Sequence, residues 1–137
     1  SPHAAAGIEN ITLKATAFRM PLSDKSIIIE GAGGLMVPIN DNEYIADFPL
    51  LWGIPVILVA NLYLGSINHT LLSIEYLRNR NIEVRGIVFN GEANPESERI
   101  ILQKSGYKLL LRIPKLEKVD KAVVKGLAED LLKNWNE

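Results

Sequence analysis

Four short apolar runs divide the chain, and stretches with helical spacing lie between them. The runs are nearly continuous rather than alternating, which is typical of parallel strands covered on both faces. We predict strands at Ser26–Glu30, Pro55–Ala60, Arg85–Asn90 and Lys108–Ile113. Helices are predicted at Asn42–Trp52, Ser66–Arg80, Pro95–Ser105 and Val119–Trp135, and a further one of modest amphipathicity over residues 7–25.

The alternation of strands and helices predicts an α/β fold, a doubly wound parallel sheet with right-handed crossovers. The helix over residues 7–25 is expected to cross over from an earlier strand, so the sheet is expected to be incomplete at its amino-terminal side. Ligands of such folds bind beyond the carboxyl ends of the strands. That rule selects Glu30–Gly33, Asn61–Asn68, Asn90-Gly91 and Pro114-Lys115 as candidate sites.

Composition narrows the classes of function. A chain of 137 residues is long enough for one domain with a single core, here residues 1–137. The net charge is -1 and no Lys/Arg cluster stands out, which argues against nucleic acid or an anionic membrane as partner. Cys is absent, so thiolate metal sites and Cys nucleophiles are excluded. No apolar stretch approaches the roughly 20 residues that a membrane span requires, and a cytoplasmic location is expected.

Glu30 is the first candidate ligand, because an acid at a strand end is followed by Gly31, Gly33 and Gly34. Mg²⁺ prefers oxygen ligands and usually takes one or two carboxylates together with phosphates. Backbone amides freed by the glycines would approach a phosphate closely. A solvated acid beside an ordinary turn explains the same residues equally well. No G-x-x-x-x-G-K-[ST] motif occurs in the chain, so Glu30 alone cannot complete a metal–phosphate site.

The segment that opens the helix at Ser66 is a candidate anion site. Gly65 permits a tight turn, and Ser66 is a suitable N-cap. The first amides of the helix would face an anion such as a carboxylate, although an ordinary capped helix is the simpler interpretation. His69 near this helix start is more often structural than a catalytic base.

Two further strand ends carry weaker signals. The side chain of Asn90 offers a donor and an acceptor together, as the edge of adenine requires, but Asn-Gly is also a common turn dipeptide. Beyond Pro114 the backbone either lines a purine or forms a plain loop. The simplest interpretation of the lysines in this region is a solvated surface; they are Lys115, Lys118 and Lys121.

Taken together, these motifs resemble the dethiobiotin synthetases. The resemblance covers essentially the whole chain, and the matching segments occur in the family's order. They are SPHAAAG, EGAGGLMVPI, VILVANLYLGSINHTLLSIEYL, GIVFNG and IPKLE. It implies a P-loop NTPase-like fold and a homodimer. The implied reaction is the ATP-dependent closure of 7,8-diaminopelargonate with CO₂, supplied as bicarbonate, into a cyclic urea, through a carbamate that ATP phosphorylates and the second amine attacks.

The resemblance also implies roles for individual residues. Glu30 corresponds to an acidic Mg²⁺ ligand, and Gly31, Ala32 and Gly33 to the loop beside the ATP phosphates. Asn90 corresponds to the residue that reads the adenine edge, and the segment lining the base is Pro114, Lys115 and Leu116. The helix start that holds the substrate carboxylate, offered across the dimer, comprises Gly65, Ser66, Ile67 and Asn68. Ser1 and Pro2 correspond to part of a loop near the substrate.

The chain departs from the family pattern where catalysis is concerned. The family's first strands, its P-loop Lys and Thr, a second Mg²⁺-binding Asp and a Lys near the carbamate have no counterpart here. Gly91 stands where an acid often follows the adenine-reading Asn. No catalytic residue is therefore assigned in this chain, and no turnover is expected from it alone. The alternatives are another P-loop-fold ATPase or amidase, such as a partition-type ATPase or a cobyrinate amidase, and a non-catalytic dimerising fragment.

Overall fold

A computed structural model describes residues 1–135 and divides the chain into two compact units. The amino-terminal unit comprises Ser1–Ile54 and the carboxyl-terminal unit begins at Pro55. In residues 1–135, no helix is both long enough and apolar enough to cross a membrane.

The amino-terminal unit contains little regular structure. Helix α1 spans Pro2–Glu9, a 3-10 turn spans Ala15–Ala17, and helix α2 spans Asp47–Trp52. The helix predicted over residues 7–25 is therefore wrong. Helix α1 ends at Glu9 because its C-cap, Asn10, has a left-handed φ of 53°, a conformation that Asn tolerates and that stops a helix. Helix α2 begins five residues later than predicted, because Tyr44 and Pro38 form an antiparallel bridge instead.

The strand predicted at Ser26–Glu30 is also wrong. This segment has no strand partner among the described residues, and Ile28 in its centre is 97% exposed. An apolar run becomes a β-strand only when a neighbouring strand satisfies its backbone N–H and C=O groups. The run therefore keeps its strand-like composition but remains outside any sheet in residues 1–135.

Hydrogen bonds around Glu43 organise the second half of this unit. The Glu43 carboxylate accepts from the Ala15 backbone amide at 3.0 Å and from Asn40 Nδ2 at 2.5 Å. Asn40 Oδ1 in turn accepts from the Glu43 amide at 3.0 Å. Ile39 and Ala46 are buried beside this network. These contacts connect the 3-10 turn to the loop that follows the glycines.

The carboxyl-terminal unit contains the parallel sheet. Its strands are β1 at Val56–Asn61, β2 at Val84–Asn90 and β3 at Leu109–Ile113, paired in the order β1-β2-β3. Both pairs are parallel. Three of the four predicted strands are thus confirmed to within one residue at either end.

Helices cover both faces of this sheet, which confirms the doubly wound α/β class. They are α3 at Ser66–Asn79, α4 at Pro95–Ser105 and α5 at Lys121–Trp135. On one face the buried core comprises Ala60, Ile74, Ile87, Phe89 and Ile101. On the other, Leu127, Leu131 and Trp135 of α5 pack against Val88, Leu110 and Leu111. The carboxyl ends of the three strands lie at one edge of this sheet.

Candidate functional site

The carboxyl ends of the three strands meet at one edge of the sheet. Asn61, Asn90 and Ile113 lie in register there. Asn90 Nδ2 donates to Asn61 Oδ1 at 2.8 Å, and the Leu62 amide donates to the Asn90 carbonyl at 2.9 Å. The Gly91 amide donates to the Ile113 carbonyl at 2.9 Å. The two backbone bonds hold the end of β2 between its neighbouring strands, and the bond to Asn61 orients the Asn90 carboxamide.

Asn90 retains part of its hydrogen-bonding capacity. A carboxamide has two N–H donors and one carbonyl acceptor, and the bond to Asn61 uses one donor. The acceptor and the second donor have no partner among residues 1–135. An adjacent donor and acceptor are what the edge of adenine requires. The sequence placed Asn61 in a candidate range but indicated no contact with Asn90, since the register that brings the two side chains together is visible only once the strands are paired.

The Pro114–Leu116 segment continues from the same edge. It follows Ile113 directly, and Pro114 and Lys115 are exposed while Leu116 is half-buried. The segment runs on to Asp120, whose Oδ1 accepts from the amides of Ala122 and Val123 at 3.0 and 3.1 Å. The Val123 bond, together with Lys118 at 3.2 Å from Asp120 Oδ2, lowers the pKa of Asp120. The start of α5 thus anchors the far end of this segment.

The beginning of α3 differs in one respect from the sequence prediction. Gly65, with φ of 97°, occupies the N-cap position, and Ser66 is the first helical residue. The prediction that Ser66 caps the helix is therefore wrong, because only glycine adopts this φ without strain. The amides of Ser66 and His69 donate to the carbonyls of Tyr63 and Gly65. Those of Ile67 and Asn68 have no acceptor among the described residues and remain available to an anion.

A cleft of about 170 Å³ lies between β1 and α3. The side chains of Ser66 and Thr70 line it, although these residues are only 4% and 6% exposed. Neither hydroxyl has a hydrogen-bond partner in the described part of the chain. At the rim, the Tyr63 hydroxyl bonds to His69 Nδ1 at 2.5 Å. His69 therefore lines the cleft as a side chain that already has a partner.

Glu30 and its glycines belong to the amino-terminal unit. The Glu30 side chain is exposed and has no partner among residues 1–135. A Cβ on Gly31 would lie 2.5 Å from Ile45 Cγ2, and one on Gly33 would lie 2.7 Å from Val37 Cγ2. Both glycines are thus required by close packing against the loop behind them. Glu30 is left facing solvent rather than packed side chains.

Ser1 and Pro2 lie at the start of α1. The Ser1 carbonyl accepts from the amides of Ala4 and Ala5 at 3.1 Å each, and Pro2 is the first helical residue. Proline is favoured at this position because a backbone N–H there would have no acceptor within the helix, so its absence costs nothing. The pair therefore begins a helix, where sequence analysis expected a loop.

Within residues 1–135, no group of three or more His, Asp or Glu side chains could hold a metal ion. Glu30 supplies one carboxylate oxygen donor, which fits the chemistry of Mg²⁺ but is a single ligand. The described residues thus offer a contribution to a metal site, and the remaining ligands would have to come from phosphate oxygens, water or other protein groups.

Comparison with known proteins places these features in context. Residues 1–123 match the family described as AAA domain. The ATP-dependent dethiobiotin synthetase BioD of Cytophaga hutchinsonii is 52% identical over 138 residues, covering 100% of this chain and 67% of that protein. Those of Christiangramia forsetii and Agrobacterium fabrum are 47% and 46% identical, covering 97% and 85% of this chain. The chain spans 64% and 55% of the length of these two relatives.

Proposed function

We propose, because the chain belongs to the dethiobiotin synthetase family, that it is the carboxyl-terminal part of an enzyme that makes dethiobiotin in biotin synthesis. The reaction would close 7,8-diaminopelargonate with CO₂ and ATP into a cyclic urea. The observation that carries the proposal is 52% identity to such a synthetase across the whole of this chain. The P-loop NTPase-like class agrees with the parallel sheet flanked by helices.

The strand ends of the carboxyl-terminal unit would bind the nucleotide base. Asn90 keeps a donor and an acceptor for adenine, and its bond to Asn61 orients both. Pro114, Lys115 and Leu116 would line the base, since they follow the strand to which Gly91 is bonded. The carbonyl acceptor and the second N–H donor of the Asn90 carboxamide, which the bond to Asn61 leaves unused, support this assignment.

The start of α3 would hold the substrate carboxylate. The unpaired amides of Ile67 and Asn68 and the positive end of the helix dipole favour an anion there. Gly65 sets the turn, and the Ser66 hydroxyl adds a donor within the cleft. In the proposed homodimer, the start of α3 in one protomer would bind the substrate carboxylate of the active site in its partner. Ser66→Ala removes that hydroxyl and should then raise KM for diaminopelargonate, an effect that a relative without a carboxylate-binding site would not show.

The glycine loop of the amino-terminal unit would lie beside the phosphates. Glu30 would be one ligand of Mg²⁺, which neutralises phosphate charge when bound. Gly31, Ala32 and Gly33 would let the backbone approach the phosphates, and Ser1 and Pro2 would lie near the substrate. The exposed, unpartnered Glu30 carboxylate supports this role. A cytoplasmic location also stays a prediction.

An assay of ATP hydrolysis tests the proposal. The 137-residue chain alone should hydrolyse no ATP, because its sequence contains no G-x-x-x-x-G-K-[ST] motif to hold the phosphates of ATP. A protein extended at its amino terminus to the length of its relatives should hydrolyse ATP only when diaminopelargonate and bicarbonate are both present. Turnover by the short chain, or hydrolysis by the longer protein that ignores both substrates, would contradict the proposal.

A further inference from the structure

Glu98 is a charged side chain buried in the carboxyl-terminal unit. It lies in the first turn of α4 and is 2% exposed. Its Oε2 forms an ion pair with Arg112 Nε of β3, while the Arg112 side chain remains 53% exposed. Burying a carboxylate is costly, and apolar residues often replace such pairs without loss of stability. The first turn of α4 favours a carboxylate, because it lies at the positive end of the helix dipole, but this does not account for the ion pair with β3.

The contacts of Glu98 join the two segments that flank Asn90. Its second oxygen, Oε1, accepts from the Asn94 amide at 3.2 Å, so it holds the end of the loop that follows β2. The beginning of that loop is held by the bond from the Gly91 amide to Ile113. Arg112 directly precedes Ile113 in β3. One buried carboxylate thus fixes the loop after β2 relative to the strand that leads into Pro114.

We propose that Glu98 is a positioning residue for recognition of the nucleotide base. It does not touch the base; acting through Arg112 and the Asn94 amide, it keeps Asn90 and the Pro114–Leu116 segment at a fixed separation. This inference rests on the proposed function, which puts the base at these strand ends. Loss of the Glu98 charge should therefore weaken discrimination between bases more than it weakens binding of the phosphates.

The test measures equilibrium binding of ATP, GTP and inorganic triphosphate to the protein extended to the length of its relatives. Glu98→Gln should lower the preference for ATP over GTP roughly tenfold, the scale of one amide–adenine pair, and leave triphosphate binding unchanged. Glu96→Gln is the matched control, since Glu96 lies on the same helix in an exposed pair with Arg99 at 2.9 Å. That variant should keep the wild-type preference.

Asn90→Ala separates this inference from the proposed function. If Asn90→Ala leaves the preference for ATP intact, the proposed base site is wrong. If Asn90→Ala abolishes it but Glu98→Gln does not, the role of Glu98 is wrong. The double variant should lose no more than Asn90→Ala alone, because both changes act on one recognition event.

A readout without nucleotide completes the test. In the 137-residue chain, Glu98→Gln should increase hydrogen exchange at the Gly91 amide, which bonds to Ile113, with no change in the Leu62 amide. If Glu98→Gln fails to fold, Arg112→Lys retains both charges and should show a partial loss of base preference. An unchanged preference and unchanged Gly91 exchange in a folded variant would overturn the inference.

Discussion

The two units of the chain use their apolar residues in opposite ways. In the carboxyl-terminal unit, Ile74 and Ile87 are fully buried between the sheet and its helices. In the amino-terminal unit, Leu22 and Ile28 are almost fully exposed, although Ile28 lies within a continuous apolar run. The difference follows from pairing: three strands in register build a surface on which helices pack, and residues 26–30 have no strand partner in the described chain.

The largest predicted effect contrasts Phe89 with Ile28. Phe89 is 1% exposed and packs in the core, so Phe89→Ala should lower the free energy of unfolding by about 3–5 kcal/mol. Ile28 is 97% exposed, and Ile28→Ala should change it by less than about 0.5 kcal/mol. Urea unfolding followed by circular dichroism measures both. A large loss at Ile28 would show that the exposed run is packed against a partner.

A smaller effect is expected within the amino-terminal unit itself. Gly33 has φ of 87° and a Cβ there would approach Val37, so Gly33→Ala should cost about 1–2 kcal/mol locally. Hydrogen exchange at the Ile45 and Ala46 amides, which donate to Val37 and Leu35, should then accelerate roughly tenfold.

The neighbouring glycine provides the control for that measurement. A Cβ on Gly34 would meet no atom within 4 Å, so Gly34→Ala should leave the exchange rates unchanged. Equal acceleration in both variants would mean that the glycine loop does not have the described packing.

The smallest effect concerns pH and the start of α5. Hydrogen bonds from Val123 and then Lys118 lower the pKa of Asp120 below its ordinary 3.8. A carboxyl whose pKa is lower in the folded chain stabilises the fold above its unfolded pKa and loses that contribution as pH falls through the folded pKa. The amide resonances of Ala122 and Val123 should therefore titrate with a midpoint below 3.8.

Asp120→Asn isolates this titration. Asparagine is also a good N-cap, so the helix should keep its start while the pH dependence disappears. A midpoint at or above 3.8 in the wild-type chain would contradict the assigned hydrogen bonds.

Sequence reasoning succeeded where local signals coincide with tertiary packing. Helix α4 begins at Pro95 and ends at Ser105 as predicted, because Asn94 caps it and Gly106 stops it. It failed at Ser26–Glu30, since an apolar run predicts a strand whether or not a partner is present. The parallel sheet and the strand-end loops were therefore predictable, and the conformation of residues 7–30 was not.

The candidate site was predictable in its residues but not in its contacts. Asn90 and the start of α3 follow from strand-end and capping signals. The bond between Asn61 and Asn90 depends on register, and the buried Glu98 contradicts the usual expectation that charges on a helix are solvated. Both become visible only when residues distant in sequence are brought together.

The central claim is that this chain carries part of an enzyme that inserts CO₂ between two amines of diaminopelargonate. The most direct measurement supplies ¹³C-bicarbonate, ATP and diaminopelargonate to the protein extended to the length of its relatives and identifies the product by mass spectrometry and carbon NMR. The account predicts dethiobiotin labelled once, at the ureido carbonyl, with one ATP consumed per product. ATP consumption without labelled dethiobiotin would contradict it.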